Sequence, residues 1–166
     1  MLKTRVIPVL TIKDLRLVKS VQFQEHRNIG SFIAAARVFN ARDVDEMVVL
    51  DLDGRKGGLK PILLKEITKE CFMPLTVGGG VRSVEDIRRL LALGADKVSI
   101  NTEAVKHPEL IAEASRQFGS QCVVVSIDAK KTAGGYEVMI SGGTEPTGLS
   151  PVLWAKEEKK LGAGEI

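Results

Sequence analysis

The strongest structural signal in this chain is the segment Leu75-Thr-Val-Gly-Gly-Gly-Val-Arg-Ser-Val-Glu-Asp86. A short apolar strand runs directly into three glycines. A helix is expected to begin at Ser83, because serine is a good N-cap and two acidic residues follow in the first turn. Glycines let the backbone turn tightly and direct its N–H groups at one point, where the helix N-terminus adds partial positive charge. The segment predicts a strand–turn–helix unit that binds an anion, usually phosphate; the alternative is a plain strand-to-helix turn.

Strand and helix patterns alternate outward from this unit along the whole chain. The predicted strands are Val6–Leu10, Met47–Leu52, Leu75–Val77, Val98–Ile100 and Cys122–Ile127. The predicted helices are Ser31–Asn40, Pro61–Phe72, Ser83–Leu93, His107–Phe118 and Pro151–Leu161. Several strands are continuous apolar runs, which is typical of parallel strands covered on both faces. The alternation predicts an α/β fold, either a doubly wound sheet or a (β/α)8 barrel.

An internal repeat favours the barrel. Residues 7–13 align with residues 124–130, so that Thr11 falls on Asp128. Each copy then continues through a polar stretch and a glycine into a helix, and ends at a glutamate, Glu46 or Glu165. A duplicated unit of four βα pairs makes eight, which is a barrel built from two halves.

This arithmetic also predicts how much of the barrel is present. A complete chain would have about 240 residues, and this one stops as the sixth strand begins. We therefore expect one incomplete (β/α)8 barrel domain over residues 1–166, with five βα units and the start of strand six. Residues 1–120 would form the N-terminal half-barrel. The unpaired edges of such a barrel predict that the chain associates, aggregates or pairs with a complementary piece.

Composition restricts the functional classes. Net charge is +3, with acids and bases interspersed, so no basic stripe predicts nucleic-acid binding. No apolar run is long enough for a membrane span and no signal peptide is recognisable, which predicts a cytoplasmic protein that does not bind membranes. Cys71 and Cys122 lie in apolar contexts and are predicted to be buried thiols. His26 and His107 lack the spacing of metal ligands, so neither a metal nor a cofactor is predicted.

The whole chain resembles the cyclase subunit of imidazole glycerol phosphate synthase. The resemblance rests on segments that follow one another in order: Arg5-Val-Ile-Pro8, Lys19, Leu75-Thr-Val-Gly-Gly-Gly80, Gly94-Ala-Asp-Lys-Val-Ser-Ile-Asn101, Phe118-Gly-Ser-Gln-Cys122, Ile127-Asp-Ala-Lys130, Pro146-Thr-Gly148 and Leu161-Gly-Ala-Gly-Glu-Ile166. It implies a (β/α)8 barrel that takes ammonia from a glutaminase partner. Such a lyase acts on a phosphorylated ribulosyl intermediate in histidine biosynthesis.

The resemblance also implies the site residues. Asp128 matches one of two paired catalytic aspartates, and a carboxylate at the end of a strand can act as general acid or base. Lys19 matches a lysine in the first loop, which folds over the substrate. The matches to the phosphate-binding residues are Gly79, Gly80, Ser83, Asn101 and Thr102.

Four charged residues match a ring that gates the ammonia entrance at the opposite end of the barrel. They are Arg5, Glu46, Lys97 and Glu165, and each lies at or just before a predicted strand. Charges of alternating sign at one mouth can pair into a closed ring. The alternative is four unrelated surface charges.

The pattern breaks in the first loop. Thr11 occupies the position of the second essential aspartate, and a hydroxyl cannot exchange protons near neutral pH as a carboxylate does. Leu15 and Ser20 replace glycines, which stiffens the loop around Lys19, and Val9 replaces a common cysteine. These changes also resemble paralogues in surface-polysaccharide synthesis that convert a sugar N-acetyl group to an acetamidino group with ammonia.

Two further alternatives stay open. The sister isomerase of the same pathway resembles the segment Leu50-Asp-Leu-Asp-Gly54, although it too needs an aspartate at the position of Thr11. The other alternative is not an enzyme: the chain would be a fragment, or a scaffold that binds a glutaminase.

Overall fold

The computed structural model describes residues 4–21 and 24–166 and has an α/β architecture in which parallel strands alternate with helices. Its residues cluster into two compact units. The first runs to Val81 and includes Glu85–Val98, and the second consists of Arg82–Val84 and Ser99–Ile166. In the described part of the chain, no helix combines the length and apolarity needed to cross a membrane.

The strands are β1 Val9–Lys13, β2 Arg16–Val21, β3 Gln24–Gly30, β4 Met47–Asp51, β5 Leu75–Gly78, β6 Lys97–Ile100, β7 Val123–Val125, β8 Asp128–Thr132, β9 Gly135–Ile140 and β10 Glu145–Pro146. The helices are α1 Phe32–Ala41, α2 Gly54–Gly57, α3 Pro61–Thr68, α4 Val84–Ala92, α5 Thr102–Lys106, α6 Glu109–Phe118 and α7 Pro151–Leu161. Seven strands follow the order β3-β2-β1-β4-β5-β6-β7, and β10-β9-β8 form a separate sheet.

The parallel strands of the first unit bury apolar residues on one face of their sheet. β1 pairs in parallel with β4, and β4 with β5. Leu10 and Val49 are neighbours in this register and are almost completely buried, as are Leu75 and Val77 of β5. Burial of each such side chain stabilises the folded state by about 1.5–3 kcal/mol. The predicted apolar runs therefore form the strands of this sheet.

The helices begin where the sequence supplies suitable first residues. Ser31 lies at the N-cap of α1, where its hydroxyl accepts a hydrogen bond from the N–H of Ala34. Proline is the first residue of both α3 and α7, a position that needs no N–H donor. At the other end of α7, Gly162 adopts the left-handed conformation that commonly ends a helix.

Hydrogen bonds support the internal repeat. In the first unit the N–H of Asp45 donates to the carbonyl of Val6 at 3.3 Å. In the second unit the N–H of Gly164 donates to the carbonyl of Val123 at 3.0 Å, and Glu165 pairs with Val124 as a parallel bridge. The repeat aligns Val6 with Val123 and Asp45 with Gly164, so both copies start their second strand in the same way.

The structure contains hairpins that the sequence interpretation missed. The polar segment after β1 forms the antiparallel pair β2–β3, and the segment after β7 forms β8–β9. Asp128 therefore begins a hairpin strand, whereas it was predicted to end the strand that starts at Cys122; that strand ends at Val125. Short helices, α2 and α5, follow β4 and β6 and were also not predicted.

Several boundaries differ by a few residues. The first strand was predicted over Val6–Leu10 and lies at Val9–Lys13. The third helix ends at Thr68 rather than Phe72, and the Thr68 hydroxyl donates back to the carbonyl of Leu64. Both cysteines are free thiols, as predicted, but they are half-buried rather than buried.

Candidate active site

Thr11 lies on the less buried face of the first unit's sheet. Residues that are neighbours on parallel strands share a face, and Thr11 lies beside Leu50 while Ile12 lies beside Asp51. Ile12 and Asp51 are 1% and 2% exposed, whereas Thr11 and Leu50 are half-buried. The carboxylate of Asp51 therefore belongs to the opposite face from Thr11 and does not replace the missing aspartate.

Thr11 and Lys19 line the same groove. This groove has a volume of about 840 Å³, and its other walls are mainly apolar, including Leu17, Leu50 and Phe39. Its polar side chains are those of Thr11, Lys19, Ser20 and Ser31, and none of its lining residues is acidic. Lys19 is exposed on β2, so its ammonium group can reach a ligand in the groove.

A network of carboxylates follows β4 and was not among the predicted site residues. Asp51 accepts hydrogen bonds from the backbone N–H groups of Asp53 (3.0 Å) and Lys60 (3.4 Å), which closes the intervening loop around its carboxylate. Asp53 Oδ2 accepts from the N–H of Asp14 at 2.7 Å and from Lys60 Nζ at 3.0 Å. The signal was available in the sequence, as two aspartates spaced by one residue directly after an apolar strand.

The two aspartates have opposite pKa shifts. Burial raises the pKa of Asp51, although its two backbone hydrogen bonds act against this effect. The backbone hydrogen bond from Asp14 lowers the pKa of Asp53, and the Lys60 ammonium acts in the same direction. Asp53 also raises the pKa of Lys60. At neutral pH this end of β4 therefore holds an ionised Asp53 paired with a charged lysine.

The predicted anion turn is packed tightly against this loop. Gly79 and Gly80 have φ angles of 117° and 70°, which side-chain-bearing residues rarely adopt. A side-chain carbon at Gly79 would collide with the Asp51 carbonyl, and one at Gly80 with the Gly54 carbonyl. A cavity of about 230 Å³ adjoins the turn, and its charged lining residues are Lys60, Asp86 and Arg89. Backbone packing alone therefore accounts for both glycines, with or without a bound anion.

The other predicted phosphate-binding residues begin helices. Ser83 directly precedes α4, as expected for an N-cap, and Asn101 directly precedes α5. In the second unit the Asn101 amide donates to the carbonyl of Ser126 at 2.8 Å. Thr102 Oγ1 accepts from the N–H of Ser141 at 3.0 Å. Asn101 and Thr102 therefore use polar side-chain atoms to hold neighbouring segments of the second unit together, and these atoms already have protein partners.

Asp128 lies in the second unit, and its place there differs from the predicted one. It is half-buried and pairs with Met139 in the β8–β9 hairpin. A carboxylate in this position still follows β7 closely along the chain, because only Ser126 and Ile127 intervene.

Three of the four predicted gate residues come together. Glu46 is buried, and its carboxylate accepts from Arg5 Nη1 through Oε1 and from Lys97 Nζ through Oε2, the latter at 2.8 Å. All three lie in the first unit, at or before the starts of β1, β4 and β6. Glu165 lies in the second unit at the parallel bridge to Val124. One carboxylate is thus held between two cations at the amino ends of the strands.

A comparison with known protein families matches residues 5–166 to a family described as "histidine biosynthesis protein". The match begins at Arg5 and includes every parallel strand described above. Members of this family are (β/α)8-type enzymes of histidine biosynthesis. This chain belongs to the histidine biosynthesis protein family.

Proposed function

We propose that this chain is the ammonia-accepting subunit of an enzyme of the imidazole glycerol phosphate synthase type. Such a cyclase-type lyase would receive ammonia from a glutaminase partner and act on a phosphorylated ribulosyl intermediate. The observation that carries the proposal is the contact of Glu46 with both Arg5 and Lys97. A sister isomerase uses no ammonia and has no need of a charged gate.

The gate can act through its charges. Ammonia is a neutral molecule, and a closed cluster of paired charges leaves it no open path. A docked glutaminase would offer acidic groups that compete with Glu46 for Arg5, which is the most exposed of the three, with 46% of its side chain accessible. Separation of that pair would open a route past Glu46 while Lys97 keeps the carboxylate in place.

The proposed chemistry needs phosphate binding and proton transfer at the carboxyl ends of the strands. By the family resemblance, phosphate binding falls to Gly79 and Gly80 in the first unit and to Ser83, Asn101 and Thr102 in the second, where glycine turns and helix starts present backbone N–H groups. Asp128 would act as the general acid or base. Lys19 would close over the substrate from the groove that it shares with Thr11.

Amidine formation on a sugar N-acetyl group is the second candidate. It is favoured by the groove around Thr11, which contains one ammonium group and hydroxyls but no acidic residue. A cyclisation that needs paired carboxylates lacks one of them here. In amidine formation ammonia adds to the amide carbonyl carbon and the carbonyl oxygen leaves as water, a departure for which the Lys19 ammonium would supply a proton. Both candidates share the glutaminase partner and differ in substrate.

The test starts with the partner. The chain is mixed with the glutaminase subunit of an imidazole glycerol phosphate synthase, and glutamate release is measured with and without it. Stimulation that Lys97→Met abolishes and Lys69→Met retains would support the ammonia-accepting role. Lys69 is an exposed lysine that pairs with Glu66, three residues earlier in the chain. Absence of both binding and stimulation would overturn the proposal.

A second assay separates the two substrates. Ammonium salt replaces the glutaminase, and the phosphoribulosyl intermediate or an N-acetylated sugar is supplied. If Thr11→Asp raises turnover of the ribulosyl substrate by about 10²–10⁴, as expected for a restored general acid or base, the cyclase proposal is supported. Turnover of the sugar by the native chain would favour amidination.

A further inference from the structure

The turn that joins β1 to β2 has a backbone conformation that is unfavourable for its two residues. Ile12 pairs with Leu17 and Lys13 with Arg16, which leaves Asp14 and Leu15 as a two-residue turn. Both have positive φ angles, 50° and 56°. Hairpin turns of this kind strongly prefer glycine at the second position, and leucine is poorly suited to it because its Cβ crowds the backbone.

One side chain from another loop holds this turn. Asp53 Oδ2 accepts the N–H of Asp14 at 2.7 Å, and the same oxygen accepts Lys60 Nζ at 3.0 Å. Charge-assisted bonds of this length are among the stronger hydrogen bonds in proteins. The Asp53 N–H is in turn fixed to the carboxylate of Asp51, which is almost completely buried.

The same loop also contacts the glycine turn after β5. Gly54, the residue after Asp53, packs against the backbone of Gly79 and Gly80 so closely that no side chain fits between them. Asp53 therefore lies in the middle of a continuous path of contacts. The path begins at the hairpin that carries Lys19 and ends at the predicted anion turn.

We infer that Asp53 is a positioning residue, which compensates for leucine at a glycine position and fixes the Lys19 hairpin relative to the Gly79–Gly80 turn. It acts through Asp14 and touches no reacting atom in this role. The inference concerns how the first unit is assembled, and only its consequence for Lys19 rests on the proposed function.

Backbone hydrogen exchange of the intact chain tests the inference without any substrate. Asp53→Ala should accelerate exchange of the hairpin amides in residues 14–21 by about tenfold or more, because a hydrogen bond to a charged acceptor is lost. The amides of β4 and β5 should keep their protection. Asp53→Asn keeps an acceptor oxygen for the Asp14 N–H and should therefore retain most of the hairpin protection.

A rescue variant separates positioning from general stability. Leu15→Gly supplies the residue that the turn prefers, so in the Asp53→Ala background it should return hairpin exchange to near the native rate. If Asp53→Ala does not fold, Lys60→Met replaces it, because this change removes one of the two bonds to Asp53 and should raise hairpin exchange less than tenfold, with the same rescue.

Two results would overturn the inference. The first is hairpin exchange that Asp53→Ala leaves unchanged. The second is loss of protection in β4 and β5 equal to that in the hairpin, with no rescue by Leu15→Gly, since that would make Asp53 a residue of general stability. Neither result depends on glutaminase binding or turnover, so failure here is distinguishable from failure of the proposed function.

Discussion

Lys97 Nζ lies 2.8 Å from Glu46 Oε2, although the two residues are 51 positions apart in the chain. Lys97 is the first residue of β6, and Glu46 directly precedes β4. Only 14% of the lysine side chain and 9% of the glutamate side chain are exposed. A buried carboxylate without a cation is costly, so each member of such a pair depends on the other. The contact therefore has consequences for the stability of the fold.

Lys97→Met should destabilise the first unit. Glu46 would keep Arg5 but lose its less exposed partner, and we expect a loss of about 1–3 kcal/mol in the free energy of unfolding. Urea denaturation measures it. Lys69→Met is the matched control, because its pair with Glu66 is exposed and should contribute less than about 0.5 kcal/mol. Equal losses in both variants would show that the buried pair contributes no more to stability than the exposed pair.

The fold was predictable because its signals are local and repeated. Apolar runs of the sequence indicate the parallel strands, and the internal repeat aligns Glu46 with Glu165. Arg5, Glu46 and Lys97, the residues predicted for the gate in the first unit, lie together because parallel strands begin at one edge of the sheet.

The β1–β2 hairpin was not predictable, because its two turn residues are not the pair that such turns prefer. Asp14 and Leu15 do not form a recognisable hairpin signal, and Asp53, which holds the turn, comes from a distant loop. By contrast, the β8–β9 hairpin had a visible signal in the pair Gly134–Gly135, which was overlooked. Contacts between loops depend on tertiary packing and leave no periodic trace in the sequence.

Gly54→Ala should be far more damaging than Gly57→Ala, although both residues lie in the same short helix. A side-chain carbon at Gly54 would collide with the Gly79 carbonyl, whereas the space around Gly57 is open. We expect Gly54→Ala to cost about 1–3 kcal/mol or more. Gly57→Ala should be neutral or should stabilise by up to about 1 kcal/mol. Thermal unfolding compares the two, and similar melting temperatures would contradict the tight packing.

Thr102→Val should weaken the second unit, whereas Thr102→Ser should not. Thr102 Oγ1 accepts the N–H of Ser141, and valine would leave this donor without its acceptor at nearly unchanged volume. The expected loss is about 1 kcal/mol in the free energy of unfolding. Serine retains the hydroxyl and serves as the control. A loss of the same size in both variants would point to the methyl group rather than the hydrogen bond.

Because of Glu158, the stability of the fold should decrease as the pH rises. A salt-bridged acid has the opposite effect. It lies on α7 four residues after Trp154, has no exposed surface, and neither carboxylate oxygen has a hydrogen-bond partner in the described structure. Burial raises the pKa of Glu158 to about 7. The folded state therefore binds its proton more tightly than the unfolded state, so stability is greatest below pH 4.5 as far as this group is concerned. The contribution falls as pH rises to about 7, by about 3 kcal/mol in total.

Melting temperatures of the native chain and of Glu158→Gln between pH 5 and pH 8 test this expectation. Glutamine cannot ionise, so the variant should lose the part of the decline that lies between these pH values. Glu158→Leu should in addition melt at a higher temperature than the native chain at pH 8, because an apolar side chain replaces an unpaired buried carboxylate. Glu157→Gln is the control, since Glu157 is half exposed and pairs with Lys160. The expectation is contradicted if Glu158→Gln and Glu157→Gln both give the same pH profile as the native chain. Glu158 would then not ionise in the folded unit between pH 5 and pH 8. Its carboxylate would instead have a hydrogen-bonding group or water in solution that offsets the free-energy cost of its burial.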